Sequence, residues 1–312
     1  MTAAARAVGA LRLVAPTGVG SQSATAEADA PAVPAAAGWR AALELGFERR
    51  AGTTVLARCR HQGPLRVQRA LHPEGPATAH AIVLHPPGGI AGGDSLALSF
   101  AAAAGAQALL TTPGAGKWYR AAGRPAAQTV TIEVAAGACI EWLPQETIFF
   151  SGADASLRTV VDLAADARYL GLEVLCFGRT AAGETFDRGA LAMRTRIRRD
   201  DRLLWHENAR LAGGSDWFAA APGLARFPVC ATLLLAVPEG PTGITAELIT
   251  ACRESAMPDV PCSGITKLPG LLVARCLCAE AEQAKAWFLG LWTHLRPALL
   301  GRAAITPRIW NT

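Results

Sequence analysis

The chain has 312 residues, 51% hydrophobic and 18% charged, which is ample for a sizeable core in one large domain or two and argues against disorder over most of its length. Its formal charge of +5 comes almost wholly from arginine (27 Arg, 3 Lys) and is dispersed. The one dense basic run, residues 194–202, is interrupted by Asp200 and Asp201 and reads as a solvated strand edge or turn, not a nucleic-acid footprint.

No apolar run reaches the roughly 18 residues that a membrane span requires. Arg12 and then Pro16, Gly18 and Gly20 break a faint signal-peptide pattern at the start, so a cytoplasmic protein is expected. The eight cysteines mostly sit inside apolar strand-like runs and read as buried thiols; Cys276 and Cys278 would share one strand face, but two ligands do not make a zinc site.

Residues 1–38 are mainly Ala, Gly, Pro, Ser and Thr. They cannot bury enough surface to offset ordering entropy, which predicts a disordered extension and a folded part beginning near Trp39. Strands are predicted over 41–49, 53–61, 64–69 and 78–84, with turns at Gly52, Gly63 and 73–76. From His80 to Ser151, apolar runs are broken by Pro86-Pro87-Gly88-Gly89, Gly92-Gly93-Asp94, Pro113-Gly114 and Gly137, and 95–100 and 129–134 alternate with period two. Further strands are predicted over 156–163, 167–177, 189–198 and 203–211. About a dozen strands at roughly ten-residue spacing argue for a sandwich, a barrel or a stacked β architecture. No strict repeat is evident, so a regular solenoid does not follow.

The texture changes past residue 222. A strand is expected over 229–237 and a helix over 245–256, capped by Thr245 and carrying Leu248, Ile249, Cys252 and Ala256 at helical spacing. A strand over 270–278 and a helix over 279–300 follow, the latter with Phe288, Leu291, Trp292, Leu295 and Leu299 on one face and Pro297 expected to end or kink it. The division predicted is a β-rich domain over 39–221 and a small α+β lobe over 222–312, whose tail could dock on this chain or on a partner.

The few charges embedded in the central block, chiefly Asp94, Lys117, Glu133, Glu141 and Glu146, need water or a partner. The run TTPGAGKWYR fails as a P-loop because Thr111 stands where the first glycine belongs and Trp118 follows Lys117; a turn at Pro113-Gly114 with Lys117 near a carboxylate is the plain alternative. The loop HPPGGIAGGD could be an anion-binding nest or a tight corner capped by Asp94. The six histidines form no metal-binding spacing, and no nucleophilic triad can be assembled. Composition and spacing alone stop at a β-rich globular protein without evident catalytic machinery.

Five motifs in order, HPPGGIAGGD (85–94), TTPGAGKWYR (111–120), EWLPQETIFF (141–150), LGLEVLCFGR (170–179) and PRIWNT (307–312), resemble the urease accessory protein UreD (UreH) family from about Trp39 to Thr312. The resemblance implies a mainly β fold of stacked, β-helical-like strands with a small C-terminal α+β lobe, and a protein that is not an enzyme. It implies a scaffold that binds apo-urease with UreF and the GTPase UreG, and conducts Ni²⁺ through an internal polar tunnel with no tightly bound cofactor. By position in the matching motifs, Asp94, Glu146 and Glu173 become tunnel candidates, with Lys117 and Tyr119 as polar neighbours and Arg308, Ile309 and Trp310 as interface candidates. Scattered carboxylates suit an ion in transit, since a His/Cys cage would trap it. A purely structural adaptor is the alternative, with each carboxylate in a buried pair, such as Glu173 with an arginine.

Overall fold

The Pro/Gly corners and period-two runs of the central block build stacked coils. A computed structural model describes residues 38–240, 243–255 and 260–311, so the predicted disordered extension, Gly38 excepted, and Ala256 lie outside the described residues. The hairpin β1 (Arg40–Arg50) and β2 (Thr53–Gln62) comes first, followed by β3 (Arg66–Val67) and β4 (Thr78–Leu84). One coil is β5 (Ser95–Ala102), β6 (Gln107–Thr111) and β7 (Gly116–Trp118). The next is β8 (Ala126–Val134), β9 (Cys139–Leu143) and β10 (Thr147–Phe149). In the third, β11 (Asp154–Leu163) precedes β12 (Arg168–Phe177), one long strand that pairs with both β9 and β10. The hairpin β13 (Ala190–Arg199) and β14 (Arg202–Ala212) ends the stack.

Equivalent strands pair in parallel across coils, giving two facing sheets. Among the described residues, the first runs β14-β13-β11-β8-β5-β1-β2. The second contains β3, β4, β6, β9 and β12 and continues through β15 (Val229–Ala236), β17 (Leu271–Cys278) and β16 (Cys262–Leu268). The C-terminal strands thus extend the second sheet by backbone pairing. Helix α1 (Ala246–Glu254) begins at Thr245, whose Oγ1 accepts the Leu248 N–H at 3.2 Å.

A short repeat escaped the sequence reading. The corner between the sheets is Ala-Ala-Gly-Ala at 103–106 and 135–138, and Ala-Ala-Asp-Ala at 164–167. In each, the fourth N–H donates to the first carbonyl. Gly105 and Gly137 hold φ of +70° and +64°, where glycine is at ease. The Asp166 carboxylate accepts the Gly137 N–H at 2.8 Å and locks one corner onto the next.

Period-two alternation then sorts the faces. Leu96, Leu98 and Phe100 point into the space between the sheets, where they meet Ala81, Leu110 and Trp142. Where β7, β10 and the end of β12 pair, Trp118, Phe149 and Phe177 follow one another with ring centroids 6.0 Å apart. The opposite face of the second sheet, with Leu109, Leu170 and Leu172, is covered by Trp287, Phe288, Leu291, Trp292 and Leu295 of α2 (Ala281–Leu300). Of the two outcomes expected of Pro297, an end or a kink, the first does not occur. The helix runs to Leu300, and the Gly301 N–H returns to the Pro297 carbonyl at 3.2 Å in a left-handed cap.

A buried charge network pins α2. Arg296, fully buried, donates to Glu141 (2.9–3.2 Å) and to Glu74 (2.7 and 2.8 Å), and its Nη1 reaches the Ala303 carbonyl at 2.5 Å. Trp292 Nε1 donates to Glu141 at 3.1 Å, and His80 Nε2 lies 2.5 Å from Glu74. Burial pushes the Glu74 carboxyl up, but its hydrogen bonds with His80 and Arg296 outweigh that and hold its pKa at about 2. Arg296→Ala strands two buried carboxylates and is expected to cost about 3–5 kcal/mol in denaturant unfolding. Because Glu74 is depressed, its contribution is present above the unfolded value of 4.5 and is lost as pH falls toward about 2. An acid titration of the melting temperature should therefore show a loss of stability over that window that Glu74→Gln flattens.

Candidate functional site

The space between the sheets is not filled. A cavity of about 440 Å³ is lined by both sheets and by the loops around His85 and Pro113-Gly114. Gly171 is one reason for the room. A Cβ there would collide with the Tyr169 hydroxyl, so the inner face of β12 carries no side chain between Tyr169 and Glu173.

Strand register makes one stretch of the wall polar. On the first sheet Thr159, Thr195 and Glu207 are successive cross-strand partners on β11, β13 and β14. On the second, Glu173, Thr232 and Arg275 are successive partners on β12, β15 and β17. All but Arg275 line the cavity. Arg275 forms an ion pair with Glu207, joining the edge strand β14 of the first sheet to β17 of the second, and its guanidinium lies 5.8 Å from the Trp205 ring.

Glu173 is left without that arginine. Burial raises its pKa to about 7, with the Glu207 charge adding to the rise and Arg275 opposing it. Its remaining accessible surface faces the cavity. At neutral pH the group therefore sits between its acid and its carboxylate, so a cation entering the cavity and a proton compete for it.

At another part of the wall, His85 Nε2 and Gln145 Nε2 are buried without a hydrogen-bond partner among the described residues. Burial lowers the His85 pKa, with only partial opposition from Asp94, and keeps the imidazole neutral. A neutral imidazole nitrogen, two carboxylates and hydroxyls are a donor set that a divalent ion can visit. Among the described residues no three His, Cys, Asp or Glu side chains converge into a metal cage.

The other sequence-predicted residues are dispersed. Asp94 is buried and fully engaged: its oxygens accept the Trp39 and Ala91 N–H groups, each at 2.8 Å, closing the Gly92-Gly93 corner onto the start of β1. It acts as the cap that the loop composition allowed. Glu146 lies on the helix side of the second sheet, in a small pocket with Lys285, Phe288 and Trp310, because Pro144 ends the alternation of β9. Lys117 is exposed at the cavity wall and has no carboxylate within ion-pair distance among the described residues, unlike the expected pairing. Tyr119 is exposed over Gly89 and meets Phe150 edge-on at 5.1 Å. Trp310 docks on its own chain: Nε1 donates to Thr111 Oγ1 at 2.7 Å, and the ring packs against Phe288 and Trp292. Arg308 is exposed and Ile309 half-buried.

Sequence reasoning missed Glu207, Arg275 and His85. Trp205 and Leu211 mark the inner phase of β14 and could have placed Glu207 inside, but its meeting with Arg275, 68 residues away, has no local signal.

The Glu173 environment predicts a pH-dependent cost. Its folded pKa lies above the unfolded value of 4.5, so the folded state loses stability as pH rises from 4.5 to about 7, and the loss is complete above that. Glu173→Gln should melt at a higher temperature than the parent at pH 8, with the gap closing near pH 4; equal gaps at both pH values would contradict this.

The family model described as UreD urease accessory protein matches residues 40–311. Proteins named urease accessory protein UreD from Dechloromonas aromatica (strain RCB) and Azoarcus sp. (strain BH72) are 52% and 55% identical over 274 and 276 residues, each covering 88% of this chain and 95% of the relative. The one from Pseudomonas savastanoi pv. phaseolicola is 50% identical over 275 residues, with the same coverage. The stacked-coil fold and a family match spanning nearly all the described residues lead to one conclusion: this chain belongs to the UreD family of urease accessory proteins.

Proposed function

We propose that this protein is a non-catalytic scaffold for urease maturation that, with UreF and UreG, holds apo-urease and lets Ni²⁺ cross its interior. The observation that carries this reading is the pair of carboxylates, Glu173 and Glu207, on the wall of the cavity between the sheets. Ni²⁺ is cargo here. Carboxylates and hydroxyls bind it weakly enough for release, and Arg275 already neutralises Glu207, which keeps the wall from becoming a deep trap. His85 offers an imidazole nitrogen at another point on the same wall.

Lys117 and the Gly88-Gly89 corner belong to the cavity wall and would border the path, whereas Asp94 holds the adjoining Gly92-Gly93 corner. The setting is the cytoplasm, where urease and its GTP-dependent partner would meet this chain. Among the described residues no helix is long and apolar enough to cross a membrane.

Glu173→Gln, which keeps size and removes charge, should preserve the complex with UreF and apo-urease while lowering urease nickel content and activity on the order of tenfold, as loss of a metal-contacting group does. Glu146→Gln, on the other face of the second sheet, should leave both unchanged. Full activation with Glu173→Gln, and again with His85→Ala, would instead favour a structural adaptor that never touches metal.

A further inference from the structure

Five strands of the first sheet, β1, β5, β8, β11 and β13, run parallel. Among the described residues their outer face carries no helix, while both helices serve the second sheet. Parallel sheets are ordinarily covered on both faces. The middle of this face is flat, since Ala42, Ala97 and Thr129 follow one another in register.

Toward β13 the face turns basic. Arg158 and Arg194 stand directly side by side on β11 and β13. Arg196 follows two residues on, and Arg210 projects from β14. Arg158, Arg194 and Arg210 are exposed, and among the described residues none of the four has a carboxylate within ion-pair distance. The Arg196 Nε is buried without a hydrogen-bond partner. Like charges opposite one another on adjacent strands destabilise a sheet, and a guanidinium is best satisfied by a bidentate carboxylate. Arg198, whose Nε likewise lacks a hydrogen bond, differs in its charge partners: Asp162 lies at 3.5 Å and Asp201 at 3.7 Å.

We propose that this face docks an acidic protein surface whose carboxylates meet Arg158, Arg194, Arg196 and Arg210. The same face favours a protein over a nucleic acid. Further along the same face, Asp162 stands between Glu133 and Arg198 in register, and these three line a groove of about 820 Å³ with Asp200, Asp201 and Arg58. A polyanion crossing the face would bring phosphates onto these carboxylates, whereas a folded partner can place negative groups over the arginines alone. The centre of small residues also gives a bilayer no large apolar side chain to bury.

The test uses the maturation partners as probes. Tagged wild-type chain, the double variant Arg194→Glu/Arg210→Glu and the conservative Arg194→Lys/Arg210→Lys are co-expressed with UreF and apo-urease, and co-purified partner is quantified at low and high salt. Charge reversal should reduce one partner on the order of tenfold or more, lysine should largely restore it, and high salt should weaken the wild-type complex. Unchanged melting temperatures establish that the variants fold. Retention of every partner by the charge-reversed chain, or no partner on the wild type, would overturn the proposal. So would a selective loss of binding to a short RNA, or of self-association in light scattering, which would assign the face to nucleic acid or to a second copy. Nickel transit is read separately through Glu173→Gln, so either reading can fail alone.

Discussion

Coil-to-coil register is the constraint on which the rest of this molecule depends. Each parallel strand places one residue beside its counterpart in the next coil, so a polar side chain at one inward position falls beside any polar side chain at the same level. The Ala-Ala-Gly-Ala corners and the Asp166 latch hold that level. Slipping β13 by one residue would send Thr195 outward and turn Arg194 toward the cavity. The polar wall and the basic outer face are thus two sides of one register.

The second sheet carries a different burden. It is buried on both faces, by the first sheet and by α2, so charge on it must be answered inside the protein. Glu141 is answered by Arg296 and Trp292, and the fully satisfied network fixes the helix. Glu173 is answered incompletely, and its pKa of about 7 reports it. Two glutamates on neighbouring strands of one sheet have opposite fates because one faces a helix with an arginine and the other faces a cavity. Perturbed carboxyls of the second kind mark the places where proteins handle protons and ions.

That contrast bears on how an accessory protein can move a metal without keeping it. A site completed by protein ligands binds too well to release, whereas a wall with one neutralised carboxylate, one half-titrated carboxyl and a few hydroxyls offers successive weak contacts. The apolar anchor Trp310, seated against Phe288 and Trp292, closes the helix side of the second sheet.

Much of the fold was legible in the chain itself. The longer strands of the stack, the Thr245 cap and the helical stripe on α2 follow from period and punctuation, because those signals lie within a few contiguous residues, whereas the short β6, β7, β9 and β10 and the exposed β16 are not delimited by them. The ordered motifs identified the family for the same reason. Helix α2 continues three residues past Pro297, to Leu300. The functional residues were legible only in part. Asp94 carried the composition of a cap and became one, and Glu173 was singled out by its motif, but Glu207 and Arg275 drew no attention. Local sequence determined which residues point to which face. Only the tertiary structure decided which of them meet, since the Glu207–Arg275 contact spans 68 residues and exists only once corners, coils and sheet edges have set the register.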